Sequence, residues 1–171
     1  YCQGKLDIGE YLSFALSFLA DHPVEKLHQW REQFIDEKIR PLILTAAQDL
    51  VEEHRNKGDT LMVITATNRF VTEPIVKLFG IPTVLATEPE FVDGRYTGEY
   101  VDTPCYQDGK VSRLTQWLAE NQADLSNSTF YSDSHNDIPL LEKVTHPVAV
   151  DPDEQLKHHA IKNDWPIITL R

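Results

Sequence analysis

Apolar side chains recur at intervals of three and four over the first third of the chain. Ile8, Tyr11, Leu12, Ala15, Leu16 and Leu19 follow that spacing and predict a first helix. Pro23 stands where a second helix would begin, with Glu25 in its first turn. That helix runs through Leu27, Trp30, Phe34 and Ile35 and is expected to stop before Pro41, because a proline disfavours helical backbone in the residue ahead of it. A third helix is expected from Leu42 to Lys57, closed by Gly58, which tolerates the left-handed conformation that ends helices. No strand pattern occurs before residue 60.

After Gly58 the period changes. Leu61–Ile64 is a short apolar run bounded by turn residues, the pattern of a strand buried on both faces. A helix over Arg69–Phe79 closes at Gly80, and Thr83–Ala86 reads as the next strand. Asp93-Gly94, set between alternating residues, signals a hairpin. Then come a helix over Lys110–Glu120, a strand at Thr129–Tyr131, a helix over Asp137–Val144, a strand at Pro147–Val150, a helix over Glu154–Asn163 and a last strand at Pro166–Leu170. Strands alternating with helices predict an α/β fold with a parallel sheet covered on both faces. The boundary falls near Pro41, between an all-helical piece (1–41) and an α/β core (42–171).

Composition narrows the possibilities. The chain has 171 residues, 41% hydrophobic and 25% charged, which is enough apolar material for a real core and excludes intrinsic disorder. Apolar runs such as Leu61–Ala66 fall far short of the ~20 residues that cross a bilayer. With 16 basic against 27 acidic residues the net charge is −11, so no basic surface is available for nucleic acid. Cys2 and Cys105 make no disulfide framework and fit free thiols in a reducing, cytoplasmic compartment. The chain opens at Tyr1 rather than Met, which leads us to expect that a segment upstream is absent.

In open parallel sheets, ligands bind beyond the carboxyl ends of the strands. After the first apolar run comes Thr65-Ala66-Thr67-Asn68: a hydroxyl, backbone N–H groups and an amide ahead of a helix. This is either an anion site or an ordinary helix cap with Thr67 or Asn68 as the capping residue. After Thr129–Tyr131 comes Ser132-Asp133-Ser134-His135-Asn136-Asp137. Two carboxylates four apart in a polar loop suit Mg²⁺, which takes one or two carboxylates and keeps waters; the plainer alternative is a helix cap plus a turn. His135 reads as a residue at the helix start. Lys110, at a helix start where the dipole disfavours a cation, is either a solvated surface residue or is held there to meet an anion.

The string Ser132–Asp137, with Ile138-Pro139-Leu140-Leu141 after it, resembles the fourth motif of the haloacid-dehalogenase superfamily, in its phosphoserine-phosphatase-like branch. In order along the chain, Thr65 falls on that family's second-motif Ser/Thr and Lys110 on its third-motif Lys. Gly4-Lys5-Leu6 and the helices after it look like the branch's helical cap. The resemblance implies a Rossmann-like parallel sheet with a partial helical cap, and a Mg²⁺-dependent phosphatase working through an aspartyl-phosphate. It implies that Thr65, the Ala66 N–H and Asn68 bind phosphate, that Lys110 neutralises developing charge, and that Asn136 reaches the phosphate. It also implies that Asp133 ligates Mg²⁺ and that Asp137 supports a metal-bound water or orients Lys110, with Lys110 and Asp133 as the catalytic pair.

Two departures qualify this. The family's nucleophile and acid–base lie in a DxDx[TV] motif on the first strand, and no such string follows an apolar run here; Asp151-Pro152-Asp153 follows the wrong strand. The expectation is that this segment lies upstream, that the core without its first strand has unpaired edges, and that the 171 residues alone are essentially inactive. The alternative is an inactive remnant of the fold acting as a binding or structural domain. Secondly, phosphoserine phosphatases of the branch carry an Arg in the first cap helix, whereas Tyr11–Phe18 holds none. This disfavours phosphoserine and leaves another small phosphorylated metabolite, histidinol phosphate among the candidates, with no nucleic acid and no membrane as partner.

Overall fold

The computed structural model describes residues 8–171; Cys2 and the expected start of the cap at Gly4–Leu6 lie outside them. The elements run α1 (Ile8–Ala20), α2 (Val24–Phe34), α3 (Thr45–Lys57), β1 (Met62–Asn68), α4 (Arg69–Leu78), β2 (Thr83–Val92), β3 (Arg95–Val101), α5 (Asp108–Asn121), β4 (Thr129–Ser132), α6 (Ile138–Leu141), β5 (His146–Val150), α7 (Glu154–Lys162) and β6 (Ile167–Ile168). Short π and 3₁₀ turns occupy Ile35–Ile39, Arg40–Leu42 and His135–Asp137. By contact the chain falls into two compact units, the first running to Ile43 and again over Thr60–Pro104, the second comprising Leu44–Asp59 and Cys105–Arg171.

In the first unit, α1 buries Leu12, Leu16 and Leu19 and leaves Tyr11, Phe14 and Phe18 outside. Leu16 and Leu19 join Leu27 and Phe70 in one core, with Trp30, Tyr96 and Tyr100 packed against it. α1 lies on β3, and the close approach is at Gly98: a Cβ there would stand 3.4 Å from the Ala20 Cβ. The hairpin between β2 and β3 turns through Asp93 (φ 50°) and Gly94 (φ 78°), both left-handed, the backbone that matches strand twist. A second core of Val76, Val84 and Ala86 seats α4 on β1 and β2, which pair in parallel.

Pro74 sits inside α4 and has no N–H for the carbonyl of Phe70 four residues back. That carbonyl instead accepts from the Arg31 guanidinium of α2 (2.9 Å), which also lies 4.4 Å over the Phe70 ring. A helix defect thereby becomes an anchor between α2 and the start of α4.

In the second unit, β4, β5 and β6 form a parallel sheet in that order. Leu141, Ala149, Leu156 and Ala160 make its core, with Phe130, Ile138 and Trp165 at the margin. α3 has no buried residue of its own. It is tied to β4 by His54, whose Nε2 accepts from the Tyr131 hydroxyl (2.8 Å) while Nδ1 faces the Asp59 carboxylate (2.7 Å).

The α/β class and its parallel strand–helix units are as the pattern predicts. The described residues hold two three-stranded sheets rather than one, and β1 and β4 each stand at an edge, in keeping with the unpaired edges expected of a core without its first strand. Helix ends also differ. α2 does not run on to Pro41 as regular helix but loosens into a π turn from Ile35, and α3 begins at Thr45 rather than Leu42. The helix expected over Asp137–Val144 is one 3₁₀ turn followed by the four-residue α6, with Pro139 in the first turn of α6, where its missing N–H costs nothing.

Candidate active site

Two segments carry the candidate chemistry, the end of β1 in the first unit and the loop after β4 in the second. In the first, β1 continues through Thr65–Asn68 where a loop was expected, and its register with β2 slips between Thr65 and Asn68. Ala66 and Thr67 fall in that slip. The Thr65 hydroxyl accepts from the Thr67 N–H (3.2 Å), a tight local turn. Of the two expected caps, Asn68 is the one used: its Oδ1 accepts from the Val71 N–H (3.2 Å) at the start of α4. Its Nδ2 has no partner among the described residues. Arg69 is drawn away from this segment, to the Glu88 carboxylate and the Val84 carbonyl.

The second segment, the loop after β4, is built on a buried charge pair. Lys110, in the first turn of α5, donates to Asp137 Oδ1 at 2.5 Å, with both side chains 9% exposed. Asp137 Oδ2 accepts from the Ser132 hydroxyl (2.7 Å), which in turn accepts from the Ser134 N–H (3.1 Å). A carboxylate here satisfies a cation placed against the helix dipole, which is why a lysine can sit at this helix start. Asp133 is different: its side chain is exposed and has no partner among the described residues, so its oxygens are open to a cation or water.

Asp153 ties the loop to α7. Its backbone N–H donates to the Asp133 carbonyl (2.8 Å), Oδ1 caps α7 at Leu156 (2.8 Å), and Oδ2 accepts from the His135 N–H (2.8 Å) and ring Nδ1 (2.7 Å). Partial burial works to raise its pKa, but the Leu156 and His135 N–H groups and the His135 ring outweigh it and hold the carboxyl below the ordinary aspartate range. On the facing strand β4, burial pushes the Tyr131 hydroxyl above its ordinary value.

Of the residues expected from sequence, Lys110 and Asp137 are in contact. Asn136 is next to them in the loop but bonds to Tyr106 and Gln107 instead, and the Asp133 carboxylate stands apart from the pair's hydrogen bonds. Thr65, Ala66 and Asn68 belong to the first unit, Lys110, Asp133, Asn136 and Asp137 to the second. Four contributing side chains have no role assigned from sequence: Ser132, Asp153, Tyr106 and Gln107. Ser132 was read only as part of the string, though a hydroxyl five residues before a buried Asp can reach it. Asp153 carried a usable signal, an Asp directly ahead of a helical pattern. Tyr106 and Gln107 carried none.

No group of three or more His, Cys, Asp or Glu among the described residues is arranged to hold a metal by itself. One open carboxylate is nevertheless a fit for Mg²⁺, which is often held by one or two carboxylates, waters and a substrate phosphate. Asp137, with one oxygen on Lys110 and the other on Ser132, fits a supporting place better than a direct one.

The family model of the haloacid dehalogenase-like hydrolases matches residues 7–142. A histidinol-phosphatase of Neisseria meningitidis serogroup C (strain 8013) is 42% identical over 175 residues, covering 100% of this chain and 79% of that protein. Phosphoserine phosphatase SerB1 of Mycobacterium tuberculosis (strain ATCC 25618 / H37Rv) is 32% identical over 157 residues; the match takes in 92% of this chain and only 51% of that protein. Among solved structures, a protein with unknown function from Bordetella pertussis Tohama I superposes with a TM-score of 0.96 at 43% identity, over 100% of this chain and 78% of that one. A substrate-bound phosphoserine phosphatase gives 0.68 at 21% identity, over 98% of this chain and 74% of that one, which speaks to the fold alone. On the extent of the family match and the identity to these relatives, the chain belongs to the haloacid dehalogenase-like hydrolases.

Proposed function

We propose that this chain carries the phosphate- and metal-binding machinery of a Mg²⁺-dependent phosphatase for a small phosphomonoester. The observation that carries the reading is the buried Lys110–Asp137–Ser132 chain beside the open Asp133 carboxylate, on one short loop. Lys110, fixed by Asp137, neutralises charge that builds on the phosphoryl oxygens. The Thr65 hydroxyl, the Ala66 N–H and Asn68 in the first unit, and Asn136 in the second, are neutral donors suited to phosphate oxygens. Asp133 would hold Mg²⁺ directly, and Asp137 would support a metal-bound water or orient Lys110. Mg²⁺, when bound, offsets phosphate charge and polarises a phosphoryl oxygen. Residues 1–41 serve as a cap and 42–171 as the core, working in a reducing, cytoplasmic compartment that suits the buried, non-disulfide Cys105.

Histidinol phosphate is the preferred substrate in this reading. The relative at 42% identity is named for it, and α1 offers no arginine for a phosphoserine carboxylate. A second reading is favoured by one sequence fact: the 171 residues contain no DxDx[TV] string to supply an aspartate nucleophile. In that reading the chain binds phosphate and metal without turnover. The test is release of phosphate from histidinol phosphate, phosphoserine and an aryl phosphate, with Mg²⁺ and with excess chelator, by the protein as its gene encodes it. Mg²⁺-dependent release, fastest from histidinol phosphate, is expected. Release unaffected by chelator refutes the metal role, and binding of phosphate without release supports the second reading.

A further inference from the structure

Gln107 adopts φ 45° and ψ −119°, a region that residues other than glycine scarcely visit. It immediately precedes α5, yet starting a helix does not require this conformation, and its side chain makes no capping bond. The side chain turns to the other loop instead. Gln107 Nε2 donates to Asn136 Oδ1 (3.0 Å) and to the Tyr106 hydroxyl oxygen (3.3 Å), and the Tyr106 hydroxyl donates to the same Asn136 Oδ1 (3.1 Å). The carbonyls of this dipeptide accept from the N–H groups of Gly109 (2.8 Å) and Lys110 (3.0 Å). One pair of residues thus sets both the turn that carries Lys110 and the rotation of the Asn136 amide.

That rotation matters because an amide can face a ligand with either end. Two donors on Oδ1 commit the oxygen to Tyr106 and Gln107. Nδ2 then donates to the Ser134 hydroxyl (3.2 Å), and its second N–H has no partner among the described residues. Reversing the amide would offer an anion an oxygen in place of that N–H, and the anion would be repelled. We propose that Tyr106 and Gln107 are positioning residues for phosphate binding: they lock the Asn136 amide so that one N–H is left for an anion, while the same dipeptide sets the turn that carries Lys110. The strained backbone of Gln107 is what returns its side chain to Asn136. The inference rests on the phosphatase reading above.

The experiment is a double-mutant cycle in the protein as its gene encodes it. Gln107→Gly suits the backbone and removes the side chain. It should leave Tm unchanged or raised, while kcat/KM for histidinol phosphate falls about tenfold. Tyr106→Phe should lose a similar factor. Gln107→Glu keeps shape but cannot donate, and should cost more than Gln107→Gly. In an Asn136→Ala background none of these should cause further loss. Equal losses in both backgrounds, or none in the wild-type background, overturn the proposal; a fall in Tm with kcat and KM unchanged marks a structural role only and also overturns it.

If the wild-type protein releases phosphate from no phosphomonoester, the phosphatase reading has failed. The positioning is then judged separately by the side-chain amide signals of Asn136 in a ¹⁵N spectrum. They should shift toward free-asparagine positions on Gln107→Gly with Tyr106→Phe, and signals unmoved by both overturn it.

Discussion

The end of β1 and the loop after β4 are alike in place, each at an edge strand and leading to a helix, but they solve the start of that helix differently. The end of β1 is neutral: Thr65 takes the Thr67 N–H and Asn68 caps α4. The β4 loop is charged and depends on distant segments. Lys110 reaches it from α5, and Asp153 holds it from the start of α7. The end of β1 is held by its own side chains and by β2, where the Thr87 hydroxyl donates to the Ala66 carbonyl (3.3 Å), and it offers uncharged donors. A buried ion pair must be fully compensated, so it draws in neighbours and gains a fixed orientation in return.

The sharpest way to break the contrast is Lys110→Met. It strands Asp137 as a buried, unpaired carboxylate and should cost about 3–5 kcal/mol in urea unfolding. Lys110→Met with Asp137→Leu should recover much of that stability without recovering activity. Full stability of the single variant would show that the pair is not desolvated as its 9% exposures indicate.

Asp133→Asn should separate activity from stability. An exposed carboxylate without a protein partner contributes little to the fold, so Tm should hardly move. Mg²⁺-dependent hydrolysis should fall by about a hundredfold or more, because a neutral amide is a poor ligand for a hard cation. Retained hydrolysis at saturating Mg²⁺ would remove Asp133 from the metal site.

The end of β1 should respond more gently. Asn68→Ala removes one cap and should cost about 1 kcal/mol, read from the urea midpoint. Thr65→Val keeps shape but loses the hydroxyl, and should lower kcat/KM by about tenfold with stability nearly unchanged.

Acid titration gives the smallest effect and one confined to the charged side. The Asp153 carboxyl lies below its ordinary value in the folded chain. Its contribution is therefore complete above about pH 4, the ordinary aspartate value, and fades as pH falls through the lower folded value. A melting series from pH 6 to pH 2.5 should show this loss, and Asp153→Asn should flatten part of it. Residues 65–68 have no titratable side chain, so Asn68→Ala should leave the shape of that curve alone.

What the sequence by itself determined was local. The 3.6-residue period marked α1, the Asp93-Gly94 pair marked the hairpin, and Gly58 marked the end of α3, since each depends on the backbone preferences of a few neighbouring residues. The Ser132–Asp137 string and the misplaced cation at Lys110 were legible for the same reason: polar residues where packing wants none. The tertiary structure alone decided what each group pairs with. Asp137 could have capped a helix or faced solvent; it is bound by a lysine 27 positions earlier in sequence. Asp153, read only as a failed nucleophile, binds the loop 18 residues before it. Gln107 held no signal, because its backbone conformation is not one glutamine prefers and its partner lies 29 residues away. The same limit applies to the strands: alternation of strand and helix predicts parallel pairing, but which edges meet is a matter of distant backbone hydrogen bonds, and these formed two three-stranded sheets.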